Sequence, residues 1–393
     1  MSKDLKGKRP ETVLTHAGRD PHAYFGAVNT PVFRASTILS PTYADRKREK
    51  GEREPRYGRR GTPTTFTLED VLAEIEGADA CVLCPSGLSA VTTAILPFVG
   101  QGGHVLMADC VYGPARNFAT RFLPRYGVST TFFDPAIGAG IADLIQDNTK
   151  IVYLEAPGSQ TFEMQDVPAI AKVAHAHGCI VMIDNTWATG LFFKPFEHGC
   201  DVSIHAATKY IVGHSDAMLG AITCTEATYG PIRETWGLLG LAVAPDDVYL
   251  ATRGVRTMQV RLEQHQKNAL EVATWLQSRP EVVRVLYPAL GNDPGHAIWK
   301  RDFTGASGLF GMILQPASET QLAAFFDGLE LFGMGSSWGG YESLLIPADP
   351  GSNRTATEWN PPGPLLRLHI GLENPADLMA DIEAGFKRMQ ATE

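Results

Sequence analysis

The sequence predicts an α/β protein with a large, mostly parallel sheet and a smaller α+β unit at its C-terminus. Up to about residue 256, short and continuously apolar runs alternate with helical stretches, which is typical of parallel strands buried on both faces. The remaining chain has fewer strand-like runs between its helical patterns, as in α+β units. A chain of 393 residues is long enough for two or three domains.

Composition indicates a folded protein and excludes several functional classes. Hydrophobic residues make up 44% and charged residues 20%, which excludes disorder for most of the chain. The formal net charge of −9 lacks the basic field that nucleic-acid binding uses. No window approaches the roughly 20 apolar residues of a membrane-spanning helix, and the N-terminus has no apolar signal region. We therefore expect a cytoplasmic protein whose partners include neither nucleic acid nor membrane.

The chain divides into three predicted parts, of which the first two form the arm and the large sheet. Residues 1–60 are polar and poor in apolar periodicity, and we interpret them as an extended N-terminal arm. Residues 61–256 open with a helix that Thr67 caps and Gly77 ends. The strands predicted after this helix are Ala80–Cys84, His104–Ala108, Thr130–Phe133, Ile151–Glu155, Cys179–Asp184, Asp201–His205 and Leu219–Cys224.

The third part, residues 257–393, begins with a long helix that ends before Pro280. The elements predicted after it are strands at Gly308–Leu314 and Leu365–Gly371 and helices at Glu319–Leu329 and Ala376–Met389. The stretch Ala348–Gly363 is rich in Pro, Gly, Asn and Thr, and we interpret it as a long surface loop.

Six cysteines are too few for a disulfide scaffold in a chain of this length. Cys81 and Cys84 have C-x-x-C spacing, but they lie in an apolar run and no second pair follows at zinc-ribbon distance. We interpret the pair as structural and predict no metal site.

Three polar positions directly follow apolar runs, at the edge where an open parallel sheet binds ligands. Gly87 opens a helix whose free N–H groups suit a phosphate. Asp184 ends one strand, and Lys209 follows the next one in surroundings that can make an amine nucleophilic. Each alone has an ordinary interpretation: Gly87 as part of a turn, Asp184 as a helix cap and Lys209 as a solvated surface charge. Together they match pyridoxal 5′-phosphate, which needs a phosphate anchor, an acid beside its pyridinium nitrogen and a Schiff-base lysine.

At these residues the chain resembles the Cys/Met-metabolism family of pyridoxal-phosphate enzymes, which have the fold type I transferase-like architecture. The resemblance runs through nearly the whole chain, by way of Thr15–Gly18, Tyr57–Arg59, Asp184–Trp187, Ala207–Tyr210 and Arg367–Glu373. Within the family the chain is most similar to the bacterial cystathionine β-lyases, because of the segments Glu155–Ser159 and Ser337–Leu344.

The resemblance implies how the cofactor is held. Lys209 would bind it covalently and move protons, Asp184 would pair with the pyridine nitrogen, and Tyr112 would stack on the ring. The phosphate would be bound by backbone N–H groups and one hydroxyl, those of Gly87, Leu88 and Thr208.

The resemblance also implies a shared active site and a substrate clamp. Tyr57 and Arg59 would reach the phosphate from a neighbouring subunit, in a homotetramer built as a dimer of dimers. Arg367 lies in an apolar run and would bind the substrate α-carboxylate in a bidentate manner. Ser337 and Trp338 would line the substrate pocket.

The activity implied is β-elimination of an amino-acid thioether, L-cystathionine, to homocysteine, pyruvate and ammonia in methionine biosynthesis. The alternatives are a cystathionine γ-lyase or γ-synthase, a methionine γ-lyase-type enzyme, a broader cysteine-S-conjugate β-lyase, and a non-catalytic protein that keeps the fold. Some positions depart from the family pattern. Ala206 stands where many relatives carry Ser, and Thr235–Leu238 and Ser336 stand where aromatic residues are expected in a β-lyase pocket.

Overall fold

The computed structural model describes residue 5, residues 7–51 and residues 53–392, and within them two sheets organise the chain. The strands of the larger sheet are β1 (Ala80–Cys84), β2 (His104–Ala108), β3 (Ser129–Phe133), β4 (Thr149–Glu155), β5 (Ile180–Asp184), β6 (Val202–His205) and β7 (Gly220–Cys224). They lie in the order β1-β7-β6-β5-β4-β2-β3. The pairs among β2 to β6 are parallel, whereas β7 runs antiparallel to both of its neighbours.

The smaller sheet belongs to the C-terminal part of the chain and is antiparallel throughout. Its strands are β8 (Val282–Leu286), β9 (Leu309–Leu314), β10 (Leu344–Ala348) and β11 (Leu365–His369). They lie in the order β10-β11-β9-β8, so β11 pairs with both β10 and β9.

Helices surround both sheets. Their bounds are α1 (Pro10–His16), α2 (Tyr43–Lys47), α3 (Pro63–Glu76), α4 (Gly87–Ile95), α5 (Gly113–Asn117), α6 (Val167–Ala176), α7 (Thr189–Phe192), α8 (Glu226–Leu238), α9 (Pro245–Arg256), α10 (Met258–Gln277), α11 (His296–Asp302), α12 (Glu319–Phe326) and α13 (Pro375–Gln390). None of these helices combines the length and the apolar character needed to cross a membrane, as far as the described residues extend.

The main core lies in and around the large sheet, whose central strands β2, β4 and β5 are buried on both faces. Because both faces are buried, these strands need apolar residues at consecutive positions. All seven strands predicted for this sheet occur, and each ends at the predicted residue.

Two strands, β8 and β10, are not predicted by the sequence pattern, and each lies at an edge of the smaller sheet. Two of the five residues of β8, Val283 and Arg284, face solvent, which breaks the apolar run. Strand β10 contains Pro347, a residue that sheets accept only at edges, where no partner needs its N–H.

The first helix of the large unit begins earlier than predicted. Helix α3 starts at Pro63 after Thr62, because proline is favoured at the first helical position, where an N–H would be unpaired anyway. The cap prediction for Thr67 is wrong: its hydroxyl lies inside the helix and donates to the Pro63 carbonyl at 2.9 Å. The predicted end at Gly77 is confirmed, with a left-handed φ of 77°.

The beginning of the N-terminal arm is helical and anchored rather than extended. Val13 and Leu14 of α1 are buried in the cluster that includes α3 and α9. Arg256, at the end of α9, donates to the carbonyls of Leu14 at 2.5 Å and Ala17 at 3.0 Å. Sequence periodicity missed α1 because it is only two turns long.

A buried charge pair joins α3 to the large sheet. Glu76 Oε1 accepts from His205 Nε2 and Asn185 Nδ2, each at 3.0 Å, and Oε2 accepts from Thr223 Oγ1 at 3.0 Å. Burial by itself would raise the pKa of Glu76, but His205 and the hydrogen bonds lower it overall. Burial opposes charge on His205 too, yet Glu76 raises the pKa of that ring. Both partners are therefore charged.

Replacing Glu76 with Ala removes one partner of this pair and leaves His205 buried without its counter-charge. We expect Glu76→Ala to lower the free energy of unfolding by about 3 kcal/mol, measured by urea denaturation. Glu74, an exposed residue of the same helix, provides the matched control, Glu74→Ala. An equal loss in both variants would contradict a specific role for the pair.

Candidate active site

A cavity of about 360 Å³ opens where the carboxyl ends of β4 and β5 face the C-terminal sheet. Of the residues that the sequence analysis selected, it is lined by Gly87, Leu88, Tyr112, Asp184, Thr208, Lys209, Trp338 and Arg367. They come from distant parts of the chain, so the fold assembles most of the predicted site in one place.

Lys209 follows β6 and points its amine into this cavity. Its Nζ donates to Ser337 Oγ at 2.6 Å and lies 5.4 Å from the centroid of the Trp338 ring. Burial, together with the nearby positive charge of Arg367, lowers the pKa of Lys209 to about 8. A substantial fraction of the amine is therefore neutral near physiological pH, as a nucleophile or base requires. Ser337, which the cavity lining does not include, takes part through this hydrogen bond.

Asp184 ends β5 and presents one free carboxylate oxygen to the cavity. Its Oδ1 accepts from the N–H and the hydroxyl of Thr186, at 3.0 and 2.5 Å. Burial raises the pKa of Asp184 despite these hydrogen bonds. Its Oδ2 has no hydrogen-bond partner within the described part of the chain. A protonated pyridine nitrogen would satisfy that oxygen and hold the carboxylate in its charged form.

Glu155 is a functional candidate that the sequence analysis used only as part of a family motif. It ends β4, in register with Asp184 on β5, and its Oε2 accepts from the backbone N–H of Tyr112 at 2.6 Å. Burial first, and then the charge of Asp184, raise the pKa of Glu155 well above its ordinary value. Burial and the charge of Asp184 thus both favour the protonated form of Glu155. Its position at the end of a strand next to that of Asp184 could have identified it.

The N-terminus of α4 lies at the cavity, where the sequence predicts a phosphate cradle. Ser86 caps this helix by accepting from Ser89 N–H at 3.1 Å, which leaves the N–H groups of Gly87 and Leu88 without partners inside the helix. A Cβ on Gly87 would lie 2.6 Å from the Cβ of Ala206, so only glycine fits there. The geometry and the free donors suit a phosphate group.

Thr208 lies beside the cradle, but its hydroxyl already has two backbone partners. Its Oγ1 donates to the Leu219 carbonyl at 3.2 Å and accepts from the Leu219 N–H at 3.0 Å. A bound phosphate would have to compete with Leu219 for this hydroxyl hydrogen.

Tyr112 stands at the mouth of the cavity, with 44% of its surface exposed. Partial burial, and then the carboxylates of Asp184 and Glu155, raise the pKa of its phenol. The phenol is therefore protonated at neutral pH and can donate a proton. Its ring is also free to stack on a planar ligand.

Arg367 lies on β11, and its buried side chain includes a donor, Nε, that has no partner among the described residues. Its Nη2 donates to the carbonyls of Gly335, Ser336 and Ser337 at 3.0 to 3.1 Å. Its Nε is buried without a partner, and burial lowers the pKa of the guanidinium to about 10. An unpaired buried donor is costly, and a substrate carboxylate would satisfy it.

Two selected residues do not reach the cavity of their own chain. Arg59 donates to the Gly237 carbonyl at 3.3 Å and packs over the Trp236 ring at 5.9 Å. Tyr57 is 47% exposed and borders a separate, open cavity on the arm. If both residues act at an active site, that site belongs to another copy of the chain.

The model of a family described as Cys/Met metabolism PLP-dependent enzyme matches residues 11–387. The cystathionine β-lyase MetC of Escherichia coli (strain K12) is 46% identical, over 98% of this chain and 100% of the relative. An L-alanine/L-glutamate racemase of Wolbachia pipientis wMel is 42% identical, over 97% and 98% of the two chains. The solved structure of metB from Corynebacterium glutamicum aligns with a TM-score of 0.90 at 29% identity, over 98% of this chain and 100% of that one.

The lowered pKa of Lys209 predicts a distinctive pH dependence of acylation. In protein freed of small molecules, the rate at which dilute acetic anhydride modifies Lys209 should rise with pH and level off above about 8, because only the neutral amine reacts. Mass spectrometry of peptides measures this rate, with the exposed Lys172 as internal reference. A rate that keeps rising up to pH 10, the ordinary range for lysine, would contradict the prediction.

Proposed function

The chain belongs to the Cys/Met metabolism PLP-dependent enzyme family, and on that basis we propose that it is a carbon–sulfur lyase that β-eliminates L-cystathionine. The products are homocysteine, pyruvate and ammonia. One observation carries the proposal: the Lys209 amine with its lowered pKa, the free oxygen of Asp184 and the unpaired Nε of Arg367 face one cavity.

The site has the donors and acceptors that pyridoxal 5′-phosphate needs. Lys209 would hold the cofactor covalently, and Asp184 Oδ2 would accept from its pyridinium nitrogen. The N–H groups of Gly87 and Leu88 would bind its phosphate, and Tyr112 would stack on its ring. When bound, the cofactor supplies an electron sink for the negative charge that develops at the substrate Cα.

Two residues would orient the substrate. Arg367 would bind the α-carboxylate through its spare Nε, while its Nη2 stays fixed by three backbone carbonyls. Trp338, over whose ring Lys209 Nζ lies, would form an apolar wall that keeps water from the reacting carbon. A rigid clamp on the carboxylate places the Cα proton within reach of the base.

The proton transfers follow from the protonation states of the cavity. Lys209, whose pKa of about 8 makes its neutral form far more accessible than that of an ordinary lysine, would remove the Cα proton as general base. The bond from Cβ to sulfur then breaks, and the departing sulfur needs a proton. Two groups of the cavity can supply that proton: the Tyr112 phenol, which its raised pKa keeps protonated, and Lys209 once it has taken the Cα proton.

A second function has a specific observation in its favour. The Wolbachia relative, named an L-alanine/L-glutamate racemase, shares 42% identity with this chain. Racemisation and β-elimination begin with the same Cα proton removal. They differ in the next step, since a racemase returns a proton to the opposite face of Cα and breaks no bond to sulfur.

Product identification decides between these reactions. We expect purified protein to convert L-cystathionine to pyruvate and homocysteine, identified by mass spectrometry, and Lys209→Ala to abolish this turnover together with the absorbance of covalently held cofactor. 2-Oxobutyrate and cysteine would replace the proposal with a γ-lyase. Intact cystathionine, with D-alanine formed from L-alanine, would replace it with a racemase.

We further propose a cytoplasmic homotetramer in which residues 1–60 form the intersubunit arm, 61–256 the cofactor unit and 257–393 the C-terminal unit. The large exposed apolar side chains of the arm support an intersubunit role, among them Phe25, Val28, Leu39 and Tyr43. The six cysteines are all buried and free, which suits a reducing compartment.

A shared site predicts complementation between two inactive variants. Arg59→Ala lacks the residue that would act at the neighbouring subunit's site, and Lys209→Ala lacks the residue that acts at the site of its own subunit. Mixed dimers of the two would contain one complete site, so co-refolding should restore about a quarter of wild-type turnover. Each variant alone provides the control. No restoration in proven mixed dimers would place Arg59 outside the shared site.

A further inference from the structure

The segment 349–357, predicted as part of a surface loop, forms a wall of the substrate cavity. It connects β10 to β11, and its Pro350 and Arg354 line the cavity. Its outer side faces solvent at Thr355 and Ala356. The side chain of Arg354, however, is only 4% exposed. The segment therefore separates the cavity from bulk water.

A single carboxylate, that of Asp109, holds the backbone of this segment. Asp109 directly follows β2, and its side chain is completely buried. Its oxygens accept three consecutive N–H groups, those of Thr355, Ala356 and Thr357, at 3.0 to 3.1 Å. They also accept from the hydroxyl of Thr357 at 3.1 Å. No regular secondary structure orders these three residues.

Two guanidinium groups compensate the charge of Asp109. Arg116 Nη1 donates to it at 2.8 Å and Arg354 Nε at 3.2 Å. Arg354 also donates to both oxygens of Glu163, at 2.6 and 3.0 Å, and Arg116 lies 3.6 Å from the centroid of the Phe132 ring. Two carboxylates and two guanidinium groups thus neutralise each other, and removing Asp109 would leave the buried charges of Arg116 and Arg354 without their shared partner.

The cluster connects the wall to groups that act on substrate. Asp109 lies three residues before Tyr112, and the wall ends eight residues before β11, which carries Arg367. Glu163 follows the turn 158–160, which also lines the cavity. Releasing the wall would thus open the cavity between the proton donor and the carboxylate clamp.

We propose that Asp109 is a positioning residue: its carboxylate holds the 349–357 segment closed over the cavity and so retains the substrate. Its effect on substrate rests on the proposed lyase function, whereas its effect on the segment does not. Asp109 borders the cavity, but its side chain is fully buried and both of its oxygens accept from the segment, so in this proposal it acts through the wall.

The test is Asp109→Asn in the cofactor-loaded enzyme. Asparagine replaces one acceptor oxygen with an NH₂ group that faces donors from the wall. We expect amide hydrogen exchange in 349–357 to accelerate at least about tenfold, KM for L-cystathionine to rise about tenfold, and kcat to change less than about threefold. Exchange is measured by mass spectrometry.

Asp381 provides a matched control. Its buried carboxylate also accepts backbone N–H groups, those of Glu330 at 3.1 Å and Leu331 at 2.8 Å, but it does not line the cavity. Asp381→Asn should accelerate exchange near those two residues and leave KM unchanged. An equal rise of KM in both variants would make the effect one of general stability and overturn the proposal.

A milder variant covers the case in which Asp109→Asn does not fold. Thr357→Val removes only the hydroxyl that lies between Asp109 and Arg354, and should produce smaller changes in the same direction. In either variant, faster exchange with an unchanged KM would contradict the role of the segment in retaining substrate. Unchanged exchange would contradict the claim that Asp109 holds the segment in place. If wild-type protein binds but does not cleave L-cystathionine, the lyase function fails. The apparent Kd from the cofactor absorbance then replaces KM in the comparison.

Discussion

Ionisable side chains lie in low-dielectric surroundings at the carboxyl edge of the large sheet, and the rest of the site follows from how their charges are compensated. Asp184 and Glu155 end neighbouring strands in register, and the charge of Asp184 adds to burial in raising the pKa of Glu155 well above its ordinary value. Asp184 keeps one oxygen free for a cationic ligand. The same surroundings make Lys209 a weaker base than ordinary lysines. The protein thus prepares its reactive protonation states through burial.

The cavity also depends on how the two sheets are joined, because its base and its carboxylate clamp come from different ones. Tyr210, directly after Lys209, accepts from the Gly308 N–H through its hydroxyl at 3.0 Å. Trp187 donates from its indole to the Leu309 carbonyl at 2.9 Å. Both bonds reach the start of β9, the strand beside β11. They tie the segments next to Lys209 and Asp184 to the C-terminal sheet that carries Arg367, and the bond between Arg354 and Asp109 is a further link between the two units.

Membership in the family indicates which groups the site contains, but it does not determine which reaction they catalyse. A lyase of Escherichia coli and a racemase of Wolbachia are similarly close to this chain, and metB of Corynebacterium glutamicum has nearly the same fold at 29% identity. Proteins with one fold therefore carry different names and activities. A base near Cα and a clamp on the α-carboxylate serve all such reactions. The fate of the carbanion depends on what the walls of the cavity admit and which proton donors they present.

The amino-acid sequence by itself was sufficient for the strands of the large sheet and for the placing of Asp184 and Lys209. A strand buried on both faces is a continuous apolar run, and the first polar residue after it marks the edge where ligands bind. The roles of Tyr112 and Arg367 came only from family resemblance. Three features are visible only in the tertiary structure. Glu155 lies beside Asp184, the Thr208 hydroxyl is already hydrogen-bonded to Leu219, and the predicted surface loop forms a wall of the cavity. Arg354 meets Asp109 across 245 positions of sequence, and local periodicity carries no information about contacts at that distance. Such contacts arise from the packing of one sheet against another, which no single segment specifies.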